Sequence, residues 1–255
     1  MSVWQALLLG AVQGLTEFLP VSSSGHMLLL RRLMGTDAGM LFDVMMHVGT
    51  LLAVVVVFRR DIAALFRPPL KRLMLLAVAT VPAGLAGVLL SGAIDEAFGD
   101  GRWLFATFAA SGILVLMTRL IVRRRDVRGL SGGNTDLPRA VAMGVAQAAA
   151  LLPGLSRSGT VIFAGTAAGG STEDVVPFAF MMSVPVIIGS AVLGGAGMLD
   201  GGAGPVQTAV GCSAAFLTGI VSAKLTLKCA GKASSIPIAV YLFSLSMLSL
   251  VLELV

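Results

Sequence analysis

Charge is what this chain has least of: 12% of its 255 residues are Asp, Glu, Lys or Arg, whereas 56% are hydrophobic and the mean hydropathy is +0.95. A soluble domain carries roughly 25% charged residues, so that class is excluded and a helical integral membrane protein is indicated. The ten-residue alternation of a transmembrane barrel is missing. Apolar runs of roughly 20 residues, enough to cross a hydrocarbon core of roughly 30 Å as helices, take its place. Cysteine is nearly absent. Cys212 and Cys229 lie in or beside apolar runs without metal-ligand spacing, which argues against a disulfide framework and reads as two small buried hydrophobes. Met1-Ser-Val-Trp lacks a basic leader and the first apolar run contains Glu17, so no cleavable signal is expected. The net charge of +5 is then a matter of membrane topology, and no nucleic-acid partner is expected.

Against this background one polar stretch stands out, Gln13-Gly-Leu-Thr-Glu17-Phe-Leu-Pro20-Val-Ser22-Ser23-Ser24-Gly25-His26. It gathers a carboxylate, three hydroxyls and an imidazole inside an apolar segment. A second stretch answers it. Setting Gln13 against Gln147 without a gap aligns Gly10 with Gly144, Ser22 with Ser156, Ser24 with Ser158 and Gly25 with Gly159, while Ser23 faces Arg157 and His26 faces Thr160.

Pro20 lacks an N–H and disfavours helix before it, and Ser22 to Ser24 are N-cap candidates for a helix that follows. The run over about 3–34 therefore predicts helix, loop, helix, each half too short to cross a bilayer, so that a re-entrant hairpin with its tip buried in protein is favoured over one kinked span. Spans are expected at about 42–58, 73–90 and 103–122, with Arg59, Arg60 and Asp61 closing the first and an acidic loop holding Asp95, Glu96 and Asp100 after the second. The polar residues 126–138 read as a linker. The plan then repeats: an apolar run over 139–168 broken at Pro153-Gly-Leu-Ser-Arg157-Ser-Gly159, then spans at about 175–199, 206–223 and 237–254. Phe178 to Val184 resembles Phe42 to Val48, with a two-residue drift in the connecting loop.

The expected fold is all-α and polytopic: repeat one over 1–125, the linker, and repeat two over 139–255, each with one hairpin and three crossings. An odd number of crossings inverts the second repeat in the membrane, as in many transporters. The basic residues agree. One side then collects Arg59, Arg60, Arg67, Lys71, Arg72, Arg119, Arg123, Arg124, Arg125, Arg128, Arg139, Lys224, Lys228 and Lys232, leaving Arg31, Arg32, Arg102 and Arg157 as exceptions. The two hairpins enter from opposite faces, so their tips can meet near the midplane.

At each tip a helix starts with unpaired N–H groups, a site suited to phosphate. The planar fork of Arg157, which can hold two phosphate oxygens, strengthens it; the alternative is that Arg157, costly at this depth unless paired, pairs with Glu17 alone and merely fixes the fold. Glu17 also suits a hard divalent cation beside a diphosphate, with Gln13, one helical turn earlier, as a second oxygen ligand. His26 lies within about a turn of three serines, and a hydroxyl beside an imidazole is the minimum for nucleophilic attack. A histidine nucleophile and a metal-activated water are the other options. Asp43 and His47 form an i, i+4 pair that reads as structural, and Met45, Met46, Met181 and Met182 read as core.

These residues resemble the bacterial undecaprenyl-pyrophosphate phosphatases, or bacitracin-resistance proteins. The likeness covers essentially the whole chain through the Gln13 to His26 block, Phe42-Asp43 through His47-Val-Gly-Thr, and Pro153 to Gly159. It implies hydrolysis of a C55 isoprenoid diphosphate to the monophosphate carrier of cell-wall synthesis, in the bacterial inner membrane, at a site facing the periplasm and requiring Mg²⁺ or Ca²⁺. The resemblance assigns metal binding to Gln13 and Glu17, catalysis to Glu17, Ser23, His26 and Arg157, and phosphate binding to Arg157. The two helix starts add Ser22, Ser24, Gly25, Ser156, Ser158 and Gly159 to the substrate-binding set. Gln13 stands where many members have Glu, and Ser24 where Thr is frequent. The partners implied are the lipid diphosphate and the membrane, with a homodimer left open. The rival class is a transporter of the lipid monophosphate or a related anion, which needs the phosphate cradle but no nucleophile.

Overall fold

The computed structural model describes residues 1–90, 92–93, 101–194, 202–229 and 235–254. Those residues form α1 (Val3–Phe18), α2 (Ser23–Met34), α3 (Gly39–Val57), α4 (Arg59–Leu65), α5 (Lys71–Leu89), α6 (Leu104–Val127), α7 (Leu137–Ala149), α8 (Arg157–Ala167), α9 (Thr172–Gly194), α10 (Pro205–Cys229) and α11 (Ser235–Leu254). The acidic loop of Asp95, Glu96 and Asp100, the Cys229 side chain, Lys232 and the far end of the span expected to reach Leu199 lie outside what is described.

Six helices, α3, α5, α6, α9, α10 and α11, are long and apolar enough to cross a membrane. The chain is a multi-pass membrane protein. Its surface accordingly carries large apolar side chains such as Leu85, Val192, Leu217 and Met247, which lipid solvates as well as a core would. The other long runs are broken where Pro20 and the serines predict. α1 and α2 have 16 and 12 residues and α7 and α8 have 13 and 11, so at roughly 1.5 Å per residue none reaches across the hydrocarbon.

Two local expectations need correction. Arg59, Arg60 and Asp61 open a short helix, α4, where a plain loop was expected, with Asp61 in its first turn, where a carboxylate complements the helix dipole. Also, α6 runs through the arginine cluster to Val127, because Arg124 and Arg125 fall in its last turn, where cations are favoured. The segment after it is pinned rather than free. Gly133 pairs with Gly169 and Ser171 through its backbone, Thr135 donates twice to Asp174, and Arg125 donates to the carbonyls of Thr166 (2.7 Å) and Gly170 (3.0 Å) at the end of α8.

Packing crosses between the halves. α1 lies against α10, and α7 lies against α5. Both approaches need a glycine: a Cβ on Gly10 would sit 2.1 Å from the carbonyl oxygen of Gly211, and one on Gly144 would sit 2.6 Å from that of Ala79. α3 further contacts α10 and α9, α9 contacts α5, and α6 pairs with α11. One apolar cluster joins Leu75, Ala79, Met143, Val161, Phe178 and Met182, and a second joins Leu9, Met27, Phe42, Met46 and Ala215. The expectation that the paired methionines pack as core holds for Met46, Met181 and Met182, while Met45 is partly buried against the second cluster. Of the two broken-helix tips, 19–22 packs through Leu19 and Val21 against Leu104, Phe108 and Leu242, and 150–156 buries Pro153, Gly154 and Ser156.

Candidate active site

Each tip is built on a serine that caps the helix behind it. Ser22 Oγ accepts from the Gly25 N–H (3.3 Å) and Ser156 Oγ accepts from the Gly159 N–H (3.2 Å), fixing the starts of α2 and α8. Ser22 and Ser156, expected among the substrate-binding residues, are thus engaged as buried caps. Ser22 adopts φ 67°, ψ 94°, a strained conformation for a residue with a side chain. The second tip is tied to α6: Ser111 accepts from the Ser156 N–H (2.9 Å) and donates to the Gly154 carbonyl (3.3 Å).

The tips meet. Ser158 donates to the Leu19 carbonyl (2.8 Å), the Gly154 N–H donates to Ser24 Oγ (3.4 Å), and Gly25 faces Gly154 so closely that an added Cβ would lie 3.0 Å from its Cα. Gly159 likewise lies against Pro20, with 3.3 Å between an added Cβ and the proline Cβ. Across this junction Arg157 Nη2 donates to Glu17 Oε1 (2.5 Å), a pair joining residues 140 apart in sequence.

Glu17 is the centre of the arrangement. Its Oε2 accepts from Ser23 Oγ (2.6 Å) and from Gln13 Nε2 (2.8 Å). The Glu17 side chain is 3% exposed, whereas Arg157 is 20% exposed and His47 36%. Two donors, Ser23 and Gln13, and the Arg157 guanidinium face this enclosed carboxylate, the surroundings an ionised acceptor needs. The fork of Arg157 keeps further N–H groups for an anion arriving on its open side. Chemically the group offers an ionised acceptor holding a serine hydroxyl, next to a cation.

The expected pairing of Ser23 with His26 is replaced by another. Ser23 donates to Glu17, while both ring nitrogens of His26 are engaged elsewhere: Nδ1 lies 2.6 Å from the Ser22 carbonyl and Nε2 lies 2.7 Å from the Tyr241 hydroxyl. The i, i+4 reading of Asp43 with His47 is also corrected. Asp43 forms an ion pair with Arg31, and His47 turns to α1, where its Nδ1 accepts from Gln13 Nε2 (3.1 Å) and lies 3.7 Å from Glu17 Oε2. His47 and Tyr241 are therefore site neighbours that the sequence reading left out. The signal for His47 was its place one turn from Asp43 in a span, and for Tyr241 that it is the chain's single tyrosine.

Among the described residues no three His, Cys, Asp or Glu side chains converge on one point. Glu17 and Ser23 bring oxygens together, while Gln13 faces Glu17 and His47 through its amide nitrogen and would have to turn its amide over to add a third oxygen. That donor set fits a hard divalent cation arriving with phosphate oxygens rather than one held by protein alone. A cavity of about 430 Å³ lies beyond the tips, bounded by Leu19, Pro20 and Gly159 and by the Arg119–Asp126 end of α6. Glu17, Ser23, His26 and Arg157 do not line it.

Comparison with known proteins bears on this geometry. The chain is 36% identical over 260 residues to an undecaprenyl-diphosphatase of Carboxydothermus hydrogenoformans, covering 99% of this chain and 98% of that protein. It is 39% identical over 264 residues to an undecaprenyl-diphosphatase of Rubrobacter xylanophilus, covering 96% of each. An undecaprenyl-diphosphatase of Methanobrevibacter smithii is 35% identical over 251 residues, covering 89% of this chain and 88% of that protein. The family model described as "Bacitracin resistance protein BacA" matches residues 6–248, which takes in both tips. With the polar tips, the Arg157–Glu17–Ser23 chain, five of the six spans and most of the sixth inside that match, the protein belongs to the BacA family of bacitracin resistance proteins.

Proposed function

We propose that this protein is an undecaprenyl-diphosphate phosphatase of the bacterial inner membrane, releasing phosphate and returning the lipid monophosphate to cell-wall synthesis. The observation that supports the reading is the chain Arg157–Glu17–Ser23, in which a guanidinium and a serine hydroxyl each hydrogen-bond to the same carboxylate. Arg157 and the N–H groups at the starts of α2 and α8 hold the diphosphate. Ser23 attacks the terminal phosphorus and its proton passes to Glu17. The bond from phosphorus to the bridging oxygen breaks, and that oxygen leaves with the lipid monophosphate. Water then attacks the phosphoserine and gives a proton to His26 Nε2; the bond from phosphorus to Ser23 Oγ breaks, Glu17 returns its proton to Ser23 Oγ, and His26 gives its proton up as phosphate leaves. Mg²⁺ or Ca²⁺, held by Glu17 and the Gln13 amide oxygen, would neutralise charge on the phosphoryl oxygens.

The architecture proposed around this site is two inverted repeats, over 1–125 and 139–255, with re-entrant hairpins α1–α2 and α7–α8. What supports it is the correspondence of contacts: α1 with α10 and α7 with α5, α3 with α10 and α9 with α5, and α1 with α2 and α7 with α8. Gly10 and Gly144, aligned by sequence, make equivalent approaches.

A second reading, transport of the lipid monophosphate, draws on the cavity on the far side of the tips. One experiment separates the two. Purified protein is given a long-chain isoprenoid diphosphate with and without EDTA, as wild type and as Ser23→Ala, Glu17→Ala, His26→Ala and Arg157→Ala. Metal-dependent phosphate release, with a fall of at least about 100-fold in each variant, is expected. Lipid binding without release in the wild type would sink the enzyme reading and leave transport.

A further inference from the structure

The phosphatase reading leaves Tyr241 without a part, although it makes the closest contact to His26 from another element. Of the two ring nitrogens of His26, Nδ1 faces the Ser22 carbonyl at 2.6 Å. A carbonyl only accepts, so Nδ1 carries the proton. The neutral ring then has its lone pair on Nε2, and the group in front of that lone pair, at 2.7 Å, is the Tyr241 hydroxyl, which therefore donates. Ser23 does not compete, because its hydroxyl is given to Glu17.

The ring is also fixed in orientation. Tyr241 stacks on it with centroids 5.6 Å apart and planes 23° apart, and Phe108 meets it edge-on at 5.6 Å and 87°. His26 is 6% exposed, whereas Tyr241 is 45% exposed, so the tyrosine is the side through which the buried imidazole reaches its surroundings. The strained Ser22 backbone belongs to the same arrangement, since it turns the carbonyl that holds Nδ1.

We propose that Tyr241 is a positioning residue for His26: its hydroxyl selects Nε2 as the working nitrogen and holds the ring's aim in both protonation states. The hydroxyl both donates and accepts. While His26 is neutral the hydroxyl donates to Nε2; as water is deprotonated that proton passes to Nε2, the tyrosine oxygen takes the proton of the water in its place, and it then accepts from Nε2–H, with no movement of either ring. A methionine or leucine of similar size in α11 would pack there but could do neither.

The kinetic part of the test rests on the phosphatase reading, and the spectroscopic part does not. The chain has two histidines, so protein labelled with ¹⁵N-histidine shows two imidazoles, and His47→Gln identifies the one belonging to His26. In the wild type, His26 is expected as a neutral ring protonated on Nδ1, with the Nε2 shift of a hydrogen-bonded acceptor. Tyr241→Phe keeps the aromatic ring and should move that Nε2 signal to the position of a free lone pair. It should lower kcat about tenfold, the scale of one hydrogen bond, with KM and the thermal midpoint kept. No further loss should appear in the residual rate of His26→Ala. The proposal is overturned by a wild-type His26 protonated on Nε2, by a Tyr241→Phe spectrum identical to wild type, or by the same tenfold loss in the His26→Ala background. A wild type that shows the expected spectrum yet releases no phosphate would refute the phosphatase reading alone.

Discussion

Glu17 and Arg157 depend on each other. Each is a charge in a region that solvates charge badly, and removing one partner leaves the other enclosed and unpaired, at a cost of about 3–5 kcal/mol. Glu17→Ala is therefore expected to lower stability in detergent by about 3 kcal/mol, and Glu17→Ala with Arg157→Met to recover most of it. Thermal unfolding of the two singles and the double would show this, and a double mutant as unstable as the sum of the singles would contradict it. Glu17→Gln, which keeps an oxygen for the guanidinium, falls between. The consequence for function is that loss of activity in Glu17→Ala must be read beside a stability measurement, whereas Ser23→Ala, which removes only a donor to an already well-paired carboxylate, reports on chemistry.

At the scale of elements, the broken helices are positioned by close helix contacts more than by the tips themselves. Thr218 Oγ1 would lie 2.1 Å from a Cβ at Gly14, and Ser222 donates to the Leu15 carbonyl (2.6 Å), so α1 is seated along α10 by small residues and a side-chain hydrogen bond, as membrane helices commonly are. Gly10→Leu must push α1 away from Gly211. The expected outcome is a lower thermal midpoint, equivalent to a cost of about 1–3 kcal/mol, together with a fall in kcat/KM, because Gln13 and Glu17 ride on the displaced helix. Leu8→Ala, on the exposed lipid side of the same helix, should change neither. Equal effects at the two positions would show that the α1–α10 seam does not place the site.

For the whole molecule, much was legible in the sequence, for physical reasons that also mark the boundary of what was not. Pro20 and the capping serines are local signals, and they located both helix breaks. Arg157 and Glu17 are charges without water; their pairing, weighed only as the alternative to phosphate binding by Arg157, is what the structure shows. The serine's partner was misjudged because Glu17 and His26 both lie within reach of Ser23 along the chain, and only the backbone turn at Ser22 decides which one it meets. Tyr241 was out of view altogether: it lies 215 residues from His26 on an apolar helix, and nothing local announces which face α11 turns to α2. His47 was seen but given to Asp43, which the structure spends on Arg31.

The seams of α1 with α10 and of α7 with α5 also bear on how the chain comes together. Each half seats the first helix of its broken pair chiefly against the other half, so the protein is in effect a pair of partners written as one polypeptide. Fragments divided at residues 128–130, after α6 and before the segment pinned to α8, should reassemble into an active complex when made together, while either fragment alone should be degraded or inactive. Assembly would then be a meeting of two bodies even in the intact chain, with α1 and α3 waiting in the membrane for α10.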